Sequence, residues 1–188
     1  ITQDGKEVGV LSGTYKNEGG GDLDATLEMK RFPLNYVNGF VPDQIVGLDG
    51  VGEGKLSMKG SLKNLDINGE VYLDSCYLVS LPYGIKMRFA DDPVQIHNSR
   101  IQFENFELFA SNGSPLDISG ELDFSNFDKM KLDAQMKAKN FQIIDSKKNA
   151  RSEVYGKAFV DIMGRISGAL NNLQLTGNLD VLGNTDVT

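Results

Sequence analysis

The chain has 188 residues, of which 40% are hydrophobic and 24% charged. That length suffices for one sizeable core, and a mean hydropathy of −0.27 is too polar for an integral membrane protein. The formal charge of −7 and the lack of a basic block argue against nucleic-acid binding and against docking to anionic lipid headgroups. Glycine is frequent (21 residues) and proline rare (5), which favours tight turns between extended segments.

The chain starts at Ile1 without a methionine or a signal peptide. We therefore expect residues 1–188 to be a single segment excised from a longer chain, with any anchor or targeting sequence outside it. Cys76 is the single cysteine, so no intrachain disulfide can form.

Apolar residues recur at every second position, which is the period of a strand with one buried face. In chain order the alternation covers residues 22–30, 55–62, 66–74, 85–89, 101–103, 106–108, 116–124, 130–139, 154–162 and 173–181. None of the positions on the apolar side carries a charge. The pattern predicts an antiparallel, all-β protein with one dry face and one wet face.

Turn signals separate the predicted strands. They lie at residues 19–21, 49–50, 91–93, 112–115 and 146–152. One segment, residues 32–40, breaks the strand period, with Pro33 near its start and Gly39 near its end. This segment predicts a short helical turn. The alternative is an irregular connector with a buried phenylalanine.

The sequence contains an internal repeat. Residues 60–73 and 168–181 align without gaps, and both read Gly-x-Leu-x-Asn-Leu-x-aliphatic-x-Gly-x-aliphatic-x-aliphatic. The asparagine of the motif, Asn64 in one copy and Asn172 in the other, is predicted to adopt the left-handed geometry of a tight hairpin. The second glycine lies on the apolar face. A glycine there permits curling of the sheet, or close approach of something lying on it.

No set of residues forms a recognisable catalytic or metal-binding motif. The only histidine, His97, is interpreted as a solvated strand residue, and Cys76 as a small half-buried one. No motif orients these two residues as a catalytic pair. The paired acids 91–92 lack the ligand loop of a calcium site, and the glycines 19–21 do not continue into a phosphate loop. We therefore predict that the protein is not an enzyme and has no metal or cofactor.

Residues 54–71, GKLSMKGSLKNLDINGEV, resemble the C-terminal region of the TamB family, which belongs to the AsmA-like superfamily. That region repeats a Gly-x-Leu-x-aliphatic-x-Gly-x-Leu-x-Asn/Asp-x-x-aliphatic-x-Gly-x-aliphatic pattern. Similar pieces follow at residues 101–103, 116–122 and 155–170. The resemblance covers most of residues 45–188, and residues 1–44 match more weakly, as preceding strands and a connector. The sequence is most similar to TamB-like chains of Bacteroides-type Gram-negative bacteria.

The resemblance implies a curled antiparallel β-sheet, sometimes called a β-taco, which forms an open groove with a hydrophobic concave interior. The one short helix would lie near residues 33–40. The apolar positions of the alternation would then line a lipid groove. These residues are Leu23, Leu27, Met29, Leu56, Met58, Leu62, Ile67, Val71, Leu73, Ile85, Met87, Phe89, Ile101, Phe103, Leu116, Ile118, Leu122, Phe124, Met130, Leu132, Met136, Val160, Ile162, Leu173, Leu175, Leu179 and Val181. The inward methionines suit a variable guest, and ordinary core packing is the alternative for about half of them.

The resemblance also implies a periplasmic protein whose inner-membrane anchor lies outside this fragment and which engages an outer-membrane barrel of the TamA or BamA type. We expect the groove to shield the acyl chains of phospholipids between the two membranes, since each methylene exposed to water costs roughly 0.8 kcal/mol. The alternative is a chaperone-like scaffold for the assembly of outer-membrane proteins or autotransporters, in which exposed strand edges pair with client strands. A second alternative is a closed, secreted β-sandwich that acts as a binding module.

Overall fold

The computed structural model describes residues 1–17, 21–40, 47–61, 63–80, 85–148 and 154–188. About 75% of the protein is strand, with almost no helix. The strands are β1 Thr2–Gln3, β2 Lys6–Glu7, β3 Gly9–Lys16, β4 Asp22–Pro33, β5 Gly47–Ser61, β6 Asn64–Ser80, β7 Ile85–Phe89, β8 Val94–His97, β9 Arg100–Phe109, β10 Pro115–Asp123, β11 Lys131–Ser146, β12 Gly156–Ala169, β13 Asn172–Val181 and β14 Asp186–Val187. Within the described residues, short 3₁₀ helices span Leu34–Phe40 and Phe127–Lys129.

Twelve of these strands form one large antiparallel sheet in the order β13-β12-β11-β10-β9-β7-β6-β5-β4-β3. The short strand β8 pairs with β6 and β9, and β14 pairs with β12. β1 and β2 form a separate two-stranded sheet. The large sheet is curled but is not closed into a barrel, so β3 and β13 are its two edges. The predicted all-β fold, a curled and open antiparallel sheet, is confirmed.

The helical turn expected near residues 33–40 is also confirmed, as the 3₁₀ helix Leu34–Phe40. The Phe32 ring, at the end of β4, meets the Tyr36 ring edge to face, with 5.5 Å between the ring centroids. The Asn38 side chain bonds both backbone groups of Leu48, accepting from its N–H at 2.7 Å and donating to its carbonyl at 3.0 Å. These bonds fix the turn against β5.

The prediction that Asn64 and Asn172 adopt left-handed geometry is wrong. Each is the first residue of its strand, and neither has a positive φ. The strong local twist falls instead on the preceding glycines, Gly60 with φ 106° and Gly168 with φ 127°. A glycine reaches such angles without the steric penalty of a Cβ. Leu62 lies outside the described residues.

The predicted turns have mixed outcomes. Residues 91–93 connect β7 to β8 and residues 112–115 lie at the connection from β9 to β10, as expected. Residues 49–50 do not form a turn, because they lie inside β5, where Gly50 (φ 116°) faces a bulge on β6. Parts of the turns predicted at residues 19–21 and 146–152 lie outside the described residues.

Within the described residues the pairing of the long strands shifts register at five places, and four of these are β-bulges that contain a left-handed residue. At each bulge two residues oppose one, and the left-handed residue is Arg31, Ser75, Asn105 or Asn140, with φ between 47° and 53°. In two cases the opposite strand supplies an acceptor for the freed backbone N–H. Asn105 N–H donates to the Ser119 hydroxyl at 3.3 Å, and Asn140 N–H donates to the Asp161 carboxylate at 2.7 Å.

The curl brings β7 and β11 into contact, although two strands separate them in the sheet. The larger core cluster forms there and is centred on Phe141, which is completely buried among neighbours such as Met87 and Phe106. A second cluster contains Met29, Ile67, Val71 and Ile96. The protein's own side chains therefore fill the concave side in the middle of the sheet.

Candidate functional site

The predicted groove residues fall into three groups. Seven are buried in the two core clusters, namely Met29, Ile67, Val71, Met87, Leu116, Val160 and Ile162. Fifteen are partly exposed, namely Leu23, Leu27, Leu56, Met58, Leu73, Ile85, Phe89, Ile101, Phe103, Ile118, Leu122, Phe124, Met130, Leu132 and Met136. Four are open to solvent on β13, namely Leu173, Leu175, Leu179 and Val181. Leu62 lies outside the described residues.

The open group belongs to the β12–β13 hairpin. Across this hairpin the aliphatic residues are directly paired, Ile166 with Leu175 and Ile162 with Leu179. Ile162 is buried against the core, whereas Leu175 is 55% exposed and Leu179 is 45% exposed. The difference arises because β13 is the last strand of the sheet, and no described strand pairs with its outer edge.

We call this open surface the apolar shelf. It consists of Ile166, Leu173, Leu175, Leu179 and Val181. All five side chains are aliphatic, so the shelf offers contact area and no hydrogen bond. It can therefore hold an apolar guest without selecting for polar groups on that guest.

A glycine notch divides the shelf. Gly164 on β12 and Gly177 on β13 are directly opposite each other, and Met136 on β11 pairs with Gly164. A Cβ on Gly177 would lie 2.4 Å from the Gly164 Cα, and one on Gly164 would lie 2.7 Å from the Thr176 carbonyl oxygen. Neither position accepts a side chain. The two glycines therefore leave a gap in the row of aliphatic side chains, and this gap runs across both strands.

A smaller apolar strip lies at the opposite edge of the sheet. Leu11 is 55% exposed and Tyr15 is 51% exposed on β3, where they pair with Leu27 and Leu23 of β4. Backbone contacts partly cover the start of β3, since the Ile1 amino group donates to the Gly9 carbonyl at 2.8 Å. This strip is therefore shorter than the shelf.

The convex face of the sheet is polar. The Arg165 guanidinium forms an ion pair with the Asp133 carboxylate on the neighbouring strand. The hydrogen bond from Arg165 lowers the pKa of the Asp133 carboxyl group. Hydrogen bonds from Ser125, reinforced by Arg100 at 3.2 Å, lower the pKa of Asp123. Two shallow depressions on this face are lined mainly by polar side chains. The apolar shelf is an open surface and not an enclosed cavity.

The two residues considered for catalysis lie apart. His97 is exposed at the end of β8 and pairs with Arg100 in the β8–β9 hairpin. Cys76 on β6 is 2% exposed, more buried than the half-buried position expected, and its Sγ donates to the Val51 carbonyl at 3.3 Å. Burial raises the pKa of the Cys76 thiol.

The described residues contain neither a metal-binding cluster nor a helix able to cross a membrane. No group of three or more histidine, cysteine, aspartate or glutamate side chains there is arranged to hold a metal ion. No helix in that part of the chain is long and apolar enough to cross a membrane.

Sequence reasoning missed several residues that shape the concave side. Ile166 belongs to the shelf. The sequence signal that could have identified it is that apolar residues of β12 continue at even-numbered positions after Gly164. Leu11 and Tyr15 alternate around Gly13 in the same way. Phe141, which is completely buried, was hidden because the bulge at Asn140 shifts the alternation from even to odd positions.

The chain is thus an all-β protein with a large curled, open sheet, a small two-stranded sheet, and an exposed apolar shelf at one edge of the large sheet. No protein-family model matches the chain, and comparison with curated proteins and with solved structures finds no match. Its function is therefore proposed from the geometry of the concave side, together with the sequence resemblance described above.

Proposed function

We propose that the chain is a segment of a TamB-like protein whose concave apolar surface shields phospholipid acyl chains during transport between the inner and outer membranes. The observation that carries this proposal is the apolar shelf, where four aliphatic side chains of one strand stand in solvent. The proposal assigns no catalytic residue and no cofactor.

The energetic reason is the hydrophobic effect. Each methylene of an acyl chain that leaves water gains roughly 0.8 kcal/mol, and the side chains it covers gain in the same way. The shelf makes no directional bond, so a chain can slide along it without breaking hydrogen bonds. A carrier surface needs this combination of shielding and mobility.

The packing of the concave side supports one position for the proposed guest. The middle of the concave side is filled around Phe141, so we place the acyl chain on the β12–β13 flank. The notch at Gly164 and Gly177 would receive the chain across the strands. Met136, partly exposed beside Gly164, would close the inner end of the notch with a flexible side chain.

The cellular setting is proposed from the resemblance to the TamB family. We place the chain in the periplasm, with its anchor in the inner membrane through a segment outside this fragment. Its proposed partner is an outer-membrane barrel of the TamA or BamA type. Nucleic acid is not a proposed partner, in keeping with the formal charge of −7.

A scaffold for the assembly of outer-membrane proteins is the second candidate. The observation that favours it is that the sheet ends at β3 and β13, whose outer edges pair with no other described strand and which a client strand can extend. A closed β-sandwich binding module is less favoured, since the large sheet runs unbroken from β3 to β13 and does not consist of two facing sheets.

Site-specific photo-crosslinking tests the lipid proposal. A photo-crosslinking amino acid is placed at Leu175 on the shelf and, as a matched control, at Met163 on the convex face of β12, where the side chain is 62% exposed. Each protein is irradiated with vesicles that contain radiolabelled phospholipid. We expect label on the protein substituted at Leu175 and little on the control. Equal labelling at both positions, or none at Leu175, would refute the proposal.

A further inference from the structure

The outer edge of β13 lacks the features that normally protect an edge strand. Edge strands usually carry charges, a proline or a bulge that prevents pairing with another chain. β13 has ten residues, no proline and one charged residue, Asp180, and its register with β12 is regular throughout. The strand is therefore ready to accept another strand.

The internal repeat indicates what kind of element covers such an edge. In the first repeat unit the strand equivalent to β13 is β6, whose outer edge pairs with β8 through Gly69–Ile96 and Val71–Val94. Val71 is 7% exposed there, whereas its counterpart on β13, Leu179, is 45% exposed. The cover in the first unit is an antiparallel strand with aliphatic residues at alternate positions.

β13 has that same pattern and is complementary to itself. When two copies of β13 are aligned antiparallel with Gly177 at the centre, Leu175 faces Leu179 of the second copy and Leu173 faces Val181 of the second copy. On the polar side, Thr176 then faces Asn178 of the second copy, and Gln174 faces Asp180 of the second copy. Apolar side chains meet apolar ones, an amide meets a carboxylate, and no like charges oppose each other.

We propose that two copies of this chain pair antiparallel through β13 about a two-fold axis at Gly177. The two large sheets then form one continuous sheet, and the exposed aliphatic side chains of each copy cover those of the other. The arrangement is isologous, so it closes at the dimer and does not grow into a filament. The other edge is less suited, because the backbone of Ile1 bonds both the carbonyl and the N–H of Gly9 on β3.

The dimer does not depend on the lipid proposal, because strand pairing needs no guest. The first test is sedimentation of the lipid-free protein over a concentration series. We expect a species of twice the 20.6 kDa chain mass. Leu175→Lys should weaken the dimer by about tenfold or more, whereas Leu11→Lys, at an equally exposed position (55%) on β3, should leave it intact. Circular dichroism checks that both variants fold.

Cysteine cross-linking tests the register. Directly opposite residues of an antiparallel pair have Cα atoms roughly 4.5–5.5 Å apart, which suits a disulfide. A mixture of Thr176→Cys and Asn178→Cys proteins should therefore cross-link readily under mild oxidation, and either variant alone much less. Cys76 is buried and does not compete.

Three results would overturn the proposal. They are a native protein that stays monomeric at every concentration, loss of association in Leu11→Lys, and cross-linking of either single-cysteine variant that equals cross-linking of the mixture. The second of these results would indicate a head-to-tail contact through β3, and the third a different register.

Discussion

Replacing Leu175 and Leu179 together with aspartate should weaken acyl-chain binding by roughly 10- to 100-fold. The two side chains are 55% and 45% exposed, which together equals about one fully exposed leucine that a bound chain would cover. Covering one leucine is worth about 1.5–3 kcal/mol, and each 1.4 kcal/mol changes a dissociation constant about tenfold. Two carboxylates beside the guest add a desolvation penalty, so the estimate is a lower limit.

Displacement of a fluorescent fatty acid measures this effect. The matched control is Met163→Asp, which removes a 62% exposed side chain from the opposite face of β12 and should change the affinity by less than about twofold. The assay is run at a protein concentration at which sedimentation shows a monomer, so that pairing through β13 does not contribute. Native-like affinity of the double variant, or an equal loss in the control, would show that the shelf does not hold the acyl chain.

Three further predictions concern the scaffold. Ser99→Ala should lower the free energy of unfolding by about 2–5 kcal/mol in urea titrations, because the buried Ser99 hydroxyl accepts from Ile67 N–H at 2.8 Å and donates to the Leu65 carbonyl at 2.6 Å, and its loss leaves both groups unsatisfied. Asn140→Val should destabilise the folded chain by about 1–3 kcal/mol, because a β-branched residue resists the φ of 47° at this position. Asn140→Gly should be nearly neutral. Equal melting temperatures of the two variants would contradict this reasoning. The pKa of Asp123 is lower in the folded chain than in the unfolded chain. The contribution of Asp123 to stability is therefore complete above the ordinary carboxyl pKa and is lost as the pH falls through the lowered value. Asp123→Asn should flatten the acid side of a curve of stability against pH.

Much of the fold could be predicted from the sequence because strand alternation reports directly which face of a sheet is dry. The bulges were missed, although they leave a signal. The apolar positions change from odd to even between Met29 and Phe32, and from even to odd between Ala138 and Phe141. A bulge adds one residue to one strand, so the strand can keep its apolar side on the same face only by such a shift.

The site was harder to predict, because alternation identifies a face but not how much of that face is covered. Val160 and Val181 are both aliphatic residues of the apolar face and pair with each other, yet one is 3% and the other 63% exposed. What separates them is the position of their strands in the sheet. That position depends on which distant strands approach one another, and the local pattern does not encode it.

The bulges also explain why the shelf lies at the edge. A single sheet has no second layer to cover its apolar face, so it must curl until that face packs against itself. The left-handed residues Asn105 and Asn140 bend β9 and β11, and β7 and β11 then meet over Phe141. Strands beyond this contact have nothing opposite them on the concave side. The same curl that buries the middle of the sheet therefore leaves β13 open, and a charge placed on β13 should affect binding far more than folding.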